Sequence, residues 1–483
     1  MSKVALPMVG IFDTTLGRLV GISPEGATDV TTVATVETNL VTGGNIFSDG
    51  SDAAFGVGIR SPQLKPNNVG TRVNCAALFT GGYATAALVT GHTYHHAIAV
   101  EAPFDAVQLI LSNNLTSAIT GVLAAVSTTP AITSSGSIDN TSLNNSAGTW
   151  TNVTVSGSAS ITLPAGTANS PSLVLSDVIP LKSQDRTDIV GALPIVLARV
   201  FMPKAGNATI PLVGNGLGNL NKWGTIPATS SQPPGGRTWF ARRQDVDAVT
   251  TPASFTDTEA SPGRANGMIV GVRYFVRGQV VQTMYFGDSI TQGSNSNLEV
   301  SCHQFGTMAK HAVSTPLLPV EVANFGWAGQ TTTQYLARAL VAIPVVKPDV
   351  VFYFPFSPND GAPTAATIAT QFYNLSQFLA CCHDNRALPV LITGLPRTTD
   401  ATNTASFWTA AQDQLRIGLN DALSQYPYIV VLDFADILGN GIASSTVAEL
   451  WGLAANTADG LHLSDAGNLV AYPEVETLLK RLR

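Results

Sequence analysis

The sequence predicts two regions of different architecture: an α/β domain with a parallel sheet covered on both faces, over residues 280–483, and an all-β, sandwich-like region before it. Three observations carry this. Beyond residue 280, near-continuous apolar runs of strand length alternate with helical stretches, the rhythm of parallel strands buried on both faces. Before it, short segments are separated by clusters of Gly, Pro, Asn and Ser, the rhythm of antiparallel strands joined by turns. Charged residues make up only 12% of the chain, about half the usual share, which favours strands and turns over solvated helices. At 483 residues the chain is too long for one ordinary domain.

Residues 1–90 contain "GIFDTTLGRLVGISPEGATDVTTV", turn-rich and strand-prone but without a pattern that closes into a fold, and form a separate N-terminal β-rich region. Residues 91–279 supply the sandwich strands: "FDAVQLILSNN" from Phe104, "TWTNVTVSGSASITLPAG" from Thr149, "LPIVLARVFMP" from Leu193 and "GMIVGVRYFVRG" from Gly267. Two of these alternate with a period near two, Val153 and Val155 against Asn152 and Thr154, and Val270, Val272 and Tyr274 against Gly271 and Arg273.

In residues 280–483 the expected strands are "VVQTMYF" (280–286), "VEVANF" (320–325), "DVVFYFPF" (349–356), "LPVLITGL" (388–395) and "YIVVLDFA" (428–435). The expected helices are "TTTQYLARALVAI" from Thr331, "TAATIATQFYNLSQFLACC" from Thr364, "ASFWTAAQDQLRIGLNDALSQ" from Ala405 and "SDAGNLVAYPEVETLLKRL" from Ser464.

An open parallel sheet binds ligands beyond the carboxyl ends of its strands, so the residues after each strand deserve inspection. They are "GDSITQG" (287–293), "GWAGQTTT" (326–333), "SPNDGAP" (357–363) and, before the last helix, "TADGLHLSDAGN" (457–468). Together these contain the parts of an acyl-transfer site. A serine hydroxyl is a weak nucleophile until an imidazole takes its proton, and the imidazole needs a carboxylate to hold its tautomer and stabilise its charged form. Ser289, His462 and Asp459 suit those tasks, and the three-residue gap between Asp459 and His462 lets one turn present both. The oxyanion of a tetrahedral intermediate needs preorganised donors, for which the backbone N–H of Ser289 and of Gly329 and the side-chain amide of Asn359 are candidates. Asp288 reads as structural and Asp465 as a helix N-cap.

The segments "GDSI", "NFGWAGQT", "SPND" and "DGLH" resemble, in order and approximate spacing, the four sequence blocks of the SGNH, or GDSL, hydrolases. The resemblance covers about residues 280–483 and implies a flavodoxin-like sheet of about five strands and a serine esterase or acylhydrolase that needs no metal or cofactor. It assigns Ser289 as nucleophile, Gly329 and Asn359 as oxyanion donors, and Asp459 and His462 as the rest of a triad. The third block departs from the usual Gly-x-Asn-Asp: Ser357 stands at the glycine, with Pro358 holding it extended.

The implied partner is an ester substrate, above all an acetylated polysaccharide positioned by the β-rich region; a lipid, aryl or polyester esterase is the alternative. A virion tail component or surface adhesin that binds a glycan is the reading from another class, and it suits the low charge and the Thr/Asn/Gly-rich first half. Trp327, Trp408 and Trp451 fall in or near the blocks and are candidates to line the substrate crevice. A net charge of -7 with scattered Lys and Arg gives no footprint for nucleic acid. No apolar run is long enough to span a membrane, and no standard signal peptide opens the chain, so the expected location is extracellular or virion-associated with the route of export unspecified. The cluster His92, His95 and His96 lacks an acidic or Cys partner at ligand spacing and reads as a polar strand or loop, and Cys381 and Cys382 lack metal-ligand spacing, so no metal is expected. His383 with Asp384 reads as capping at a helix end. The oligomeric state stays open, a homo-oligomer included.

Overall fold

The five apolar runs beyond residue 280 form five parallel strands: β1 (Val281–Phe286), β2 (Val320–Asn324), β3 (Val350–Tyr353), β4 (Leu388–Ile392) and β5 (Val430–Leu432). They are hydrogen-bonded in the order β2-β1-β3-β4-β5, the flavodoxin-like order, so the chain reverses direction across the sheet beside β1. The computed structural model describes residues 8–13, 18–24, 72–78, 83–87, 91–128, 149–184, 194–213, 239–244, 247, 249, 265–266, 268–276, 280–294, 304–315, 319–425 and 429–482.

The pleat explains why these strands read as unbroken apolar runs. In β1, Val281 and Tyr285 enter one core while Met284 and Phe286 enter the other; in β3, Val350 and Phe352 oppose Val351 and Tyr353 in the same way. Each face is roofed by helices. A short helix α1 (Ser289–Gln292) follows β1. On one face lie α2 (Phe305–Val313), α6 (Phe434–Leu438) and α7 (Asp465–Arg481); on the other lie α3 (Thr332–Val346), α4 (Ala365–Asp384) and α5 (Ala410–Ser424). A threonine caps each of α3, α4 and α5, with Thr331, Thr364 and Thr409 accepting from the backbone three residues on.

Three helical details differ from the sequence expectation. Helix α5 starts at Ala410 rather than Ala405, because Ser406 is drawn into a bridge with Thr398 and its hydroxyl accepts from the Trp408 amide at 3.1 Å. Ser464, not Asp465, caps α7: its hydroxyl accepts from Gly467 N at 3.1 Å, and Asp465 occupies the first turn, where its charge faces the positive end of the helix dipole. Helix α2, between the first two blocks, is not among the expected helices. His383 lies in the last turn of α4, as expected of a residue at a helix end.

The hydrogen-bonded sheet runs on past residue 280. Ala323 and Asn324 of β2 pair, in parallel, with Ala77 and Leu78 of the strand Arg72–Leu78. That strand continues antiparallel into Ile269–Val276, Ala106–Asn113 and Ser172–Leu175, and the whole is one ten-stranded sheet. A six-stranded antiparallel sheet, with His92–Ala99, Ile195–Met202 and Ile119–Thr128 at its centre, packs across a shared core in which Tyr94, Ile98 and Val200 meet Val107, Leu109 and Leu111. Residues 8–13 and 18–24, in the N-terminal region, form an antiparallel hairpin. A register shift between Ile269 and Gly271 divides the expected face of that strand: Val272 and Tyr274 join the antiparallel core, while Val270, with Ile110, joins the core under α3, α4 and α5. The two regions thus share a sheet and a layer of side chains.

Candidate active site

Ser289 is the first residue of α1, on the turn directly after β1. Asp288 caps that helix, its Oδ1 accepting from Ile290 N at 2.9 Å. Gly326, at the end of β2, lets the second strand-end loop press against this turn: a Cβ there would lie 2.4 Å from Gln292 N. Gln292 in return accepts the Ala328 amide at 2.7 Å.

The loop before α7 carries the base. Thr457 Oγ1 accepts from Gly460 N at 2.8 Å and donates to the His462 carbonyl at 3.0 Å, closing the loop on itself. Trp451 lies beneath it and donates its Nε1–H to Gly460 O at 3.2 Å. Asp459 Oδ1 accepts the amides of Leu461 and His462 at 3.0 and 2.8 Å, which turns its Oδ2 toward the imidazole, 2.6 Å from His462 Nδ1. The other ring nitrogen, Nε2, is 2.8 Å from Ser289 Oγ. With Asp459 accepting from Nδ1–H, Nε2 is left as the acceptor for the serine proton. Burial by itself raises the Asp459 carboxyl, but the His462 amide, the imidazole and the Leu461 amide outweigh it and hold the group below the ordinary aspartate value.

The candidate oxyanion donors converge from three strand ends. Among the described residues the backbone N–H groups of Ser289 and Gly329 have no acceptor. Gly329 sits at φ +76° with open space where a side chain would be. Asn359 lies in a single 3-10 turn, Pro358–Asp360, and its Nδ2 is 3.1 Å from Gln330 O and 3.4 Å from Asp288 Oδ2. Asp360 anchors that turn, accepting from Thr332 N at 3.0 Å and Gln371 Nε2 at 2.8 Å.

Ser357, at the departure in the third block, is fully buried and extended at φ -130°, ψ 132°, as Pro358 requires. Its hydroxyl is 2.6 Å from Asp288 Oδ2 and accepts the Asn359 amide at 3.2 Å. Burial pushes the Asp288 carboxyl up, and the Ser357 hydroxyl draws it back.

Of the three tryptophans, the structure puts Trp408 in the crevice wall, edge-on to Phe356. Trp327 is 8% exposed, with the Arg338 guanidinium over its ring at 4.9 Å, and Trp451 is 1% exposed under the histidine loop. The strand His92–Ala99 buries His92, His95 and His96, and His95 Nδ1 accepts from Arg199 Nε at 3.0 Å.

One supporting network has no sequence signature at all. Arg416 of α5, fully buried, donates to Asp413 Oδ1 at 2.7 Å, Gly394 O at 2.7 Å and Glu449 Oε2 at 2.6 Å. Glu449 N in turn donates to Asp413 Oδ2 at 2.7 Å. The network ties α5 to the loop after β4, which forms one side of the crevice.

Residues 285–470 match the model of the GDSL-like lipase/acylhydrolase family. No curated protein matches the chain in sequence. Similar solved structures include a lipase/acylhydrolase from Enterococcus faecalis, 22% identical over 42% of this chain and 95% of its own, with a TM-score of 0.31. A psychrotrophic esterase from Pseudoalteromonas is 13% identical over 41% of this chain and 96% of its own, TM-score 0.31. An acetyl-xylooligosaccharide esterase from Geobacillus is 16% identical over 42% of this chain and 95% of its own, TM-score 0.30. The four strand-end segments, from Gly287 to Asn468, therefore all lie in the stretch, residues 285–470, that matches the GDSL-like lipase/acylhydrolase family.

Proposed function

We propose that this chain is a serine esterase that works through an acyl-enzyme on Ser289 and removes acetyl groups from a polysaccharide. The observation that carries the reading is the unbroken line Ser289 Oγ, His462 Nε2, His462 Nδ1, Asp459 Oδ2, at 2.8 and 2.6 Å. His462 takes the serine proton as Oγ attacks the ester carbonyl, and Asp459 stabilises the imidazolium that results. The N–H groups of Ser289 and Gly329, with the Asn359 amide, receive the developing oxyanion. Collapse expels the alcohol, which takes its proton from His462, and leaves the acyl group on Ser289. Water then repeats the sequence with His462 again as base, releasing the acid and the free serine.

An acyl group suits this crevice. The pocket is walled by Ile290, Phe356, Pro358, Trp408 and Leu461, an apolar lining set close against Ser289. The polysaccharide part of the reading rests on the antiparallel sheets, which offer an extended surface joined to the catalytic sheet.

The test combines a variant with a label. Ser289→Ala should lower hydrolysis of p-nitrophenyl acetate by about 10³-fold or more, because nucleophile and base act as a unit. A fluorophosphonate should modify Ser289 alone. Labelling elsewhere, or near-normal turnover in the variant, overturns the assignment. Rates that rise with p-nitrophenyl acyl length would favour a lipid, aryl or polyester substrate instead.

A further inference from the structure

The loop after β4 brings a cation to the crevice that none of these steps uses. Arg397 lines the pocket with Ile290, Pro358 and Leu461, the chain neighbours of Ser289, Asn359 and His462. Its position is built rather than incidental. The Arg397 carbonyl accepts from Phe407 N at 2.9 Å and Thr398 bridges to Ser406, so the two side chains are presented together from paired segments. The guanidinium carbon lies 3.7 Å from the centroid of the Phe407 ring.

That contact consumes none of the five N–H donors of a guanidinium. Among the described residues the Arg397 side chain has no ion-pair partner and no hydrogen-bond acceptor, although it is half buried. Arg416, on the adjoining helix, shows the contrast, with three acceptors held at 2.6–2.7 Å. Asp459 is near enough for its charge to oppose the effect of burial on Arg397, but its two oxygens are taken by His462 and the loop amides. The guanidinium donors are open to solvent in the crevice, and a planar fork of donors matches a carboxylate in bidentate geometry. The chain as a whole is acidic, at -7, so this is a local feature and not part of a basic face. Phe407, 52% exposed, adds an apolar ring of the kind on which a sugar face packs.

We propose that Arg397 and Phe407 form a subsite for a carboxylate-bearing sugar unit, so that the substrate is an acetylated acidic glycan. The proposal rests on the esterase reading and narrows its substrate class. The cation holds the polymer beside the scissile ester, a contact that contributes mainly to binding.

The experiment compares the full chain with Arg397→Gln and Arg397→Lys on three esters: acetylated polygalacturonate, acetylated neutral xylan and p-nitrophenyl acetate. The wild type should favour the acidic glycan over the neutral one, with a preference that shrinks as salt is raised. Arg397→Gln should lower kcat/KM on the acidic glycan about ten- to a hundredfold more than on the other two esters, chiefly through KM, the scale for losing a hydrogen bond to a charged group. Arg397→Lys should recover part of that loss. Equal losses on all three esters would show instead that Arg397 acts through Asp459, and a wild type indifferent to the carboxylates would overturn the subsite outright. Binding separates this from any failure of the esterase reading. Ser289→Ala should bind an oligogalacturonide more tightly than a neutral oligosaccharide of equal length, and Ser289→Ala/Arg397→Gln should not; absence of that difference refutes the subsite whatever the turnover.

Discussion

The Ser357 hydroxyl donates to Asp288 Oδ2 at 2.6 Å, joining the loop after β3 to the residue that precedes the candidate nucleophile. A glycine at this position could not make that bond. Because the backbone of Ser357 is extended, serine fits without strain, and its side chain does the work of holding two strand-end loops together. Ser357→Ala should leave the buried Asp288 carboxyl short of a donor, destabilising the protein by about 1–3 kcal/mol. Thermal denaturation would show it. A variant as stable as the wild type would mean that water or Asn359 replaces the hydroxyl.

Asn359 Nδ2 donates to Gln330 O at 3.1 Å, which places it before any substrate arrives, and its second N–H makes only a long contact, 3.4 Å, with Asp288 Oδ2, one that an oxyanion can replace. Asn359→Ala should lower kcat by about 10² to 10³ with little change in KM, the scale for one preorganised oxyanion donor. A loss smaller than about threefold would assign the donation to the two backbone amides alone.

Arg416 is surrounded by Asp413, Glu449 and the Gly394 carbonyl without exposure to water. Arg416→Met strands two buried carboxylates and should cost about 3–5 kcal/mol, far more than the net worth of the intact cluster. Chemical denaturation measures this directly. Activity should fall with stability, since the loop after β4 would lose its anchor to α5.

A buried cluster also joins the two regions. Tyr274 donates to Glu321 Oε2 at 2.7 Å, the Glu101 amide reaches the same oxygen at 3.2 Å, and Lys310 pairs with Glu101. Burial first, and the charge of Glu101 next, push the Glu321 carboxyl up to about 7, while Lys310 and the Tyr274 hydroxyl pull against them. The folded state therefore holds a proton that the unfolded chain releases above 4.5, so this contribution to stability is complete at low pH and is lost as pH rises through about 7. Glu321→Gln keeps the acceptor for Tyr274 and removes the titration. Its melting temperature relative to the wild type should climb between pH 4.5 and about 7 and level off above; a constant difference would show that Glu321 does not titrate there.

Cutting the chain before Val281 would strip the strand Arg72–Leu78 from β2 and uncover the core that Ile110 and Val270 help to close. An exposed edge and lost apolar burial, about 1.5–3 kcal/mol per aliphatic side chain, predict an insoluble or unfolded 281–483 fragment. Circular dichroism decides the matter, and a folded fragment with full esterase turnover would show that the catalytic sheet stands without its neighbours.

The sequence by itself determined the parallel strands, their helices and the strand-end segments, because those depend on local periodicity. A strand buried on both faces must be apolar at every position, as β1 and β3 are, and small or polar residues cluster where it ends. That is why Ser289, Gly329, Asn359, Asp459 and His462 could be named as candidates from a single chain. Only the tertiary structure decided what depends on residues far apart in sequence: the pairing of Arg72–Leu78 with β2, the turning of Val270 away from Val272 at a bulge, and the burial of Trp327 under Arg338. The same holds for Ser357 with Asp288, 69 residues apart, and for Ser289 with His462, 173 residues apart. Such contacts leave no periodic trace, since each depends on where packing has already brought two backbones together, and so the geometry of the site belongs to the fold rather than to any segment of it.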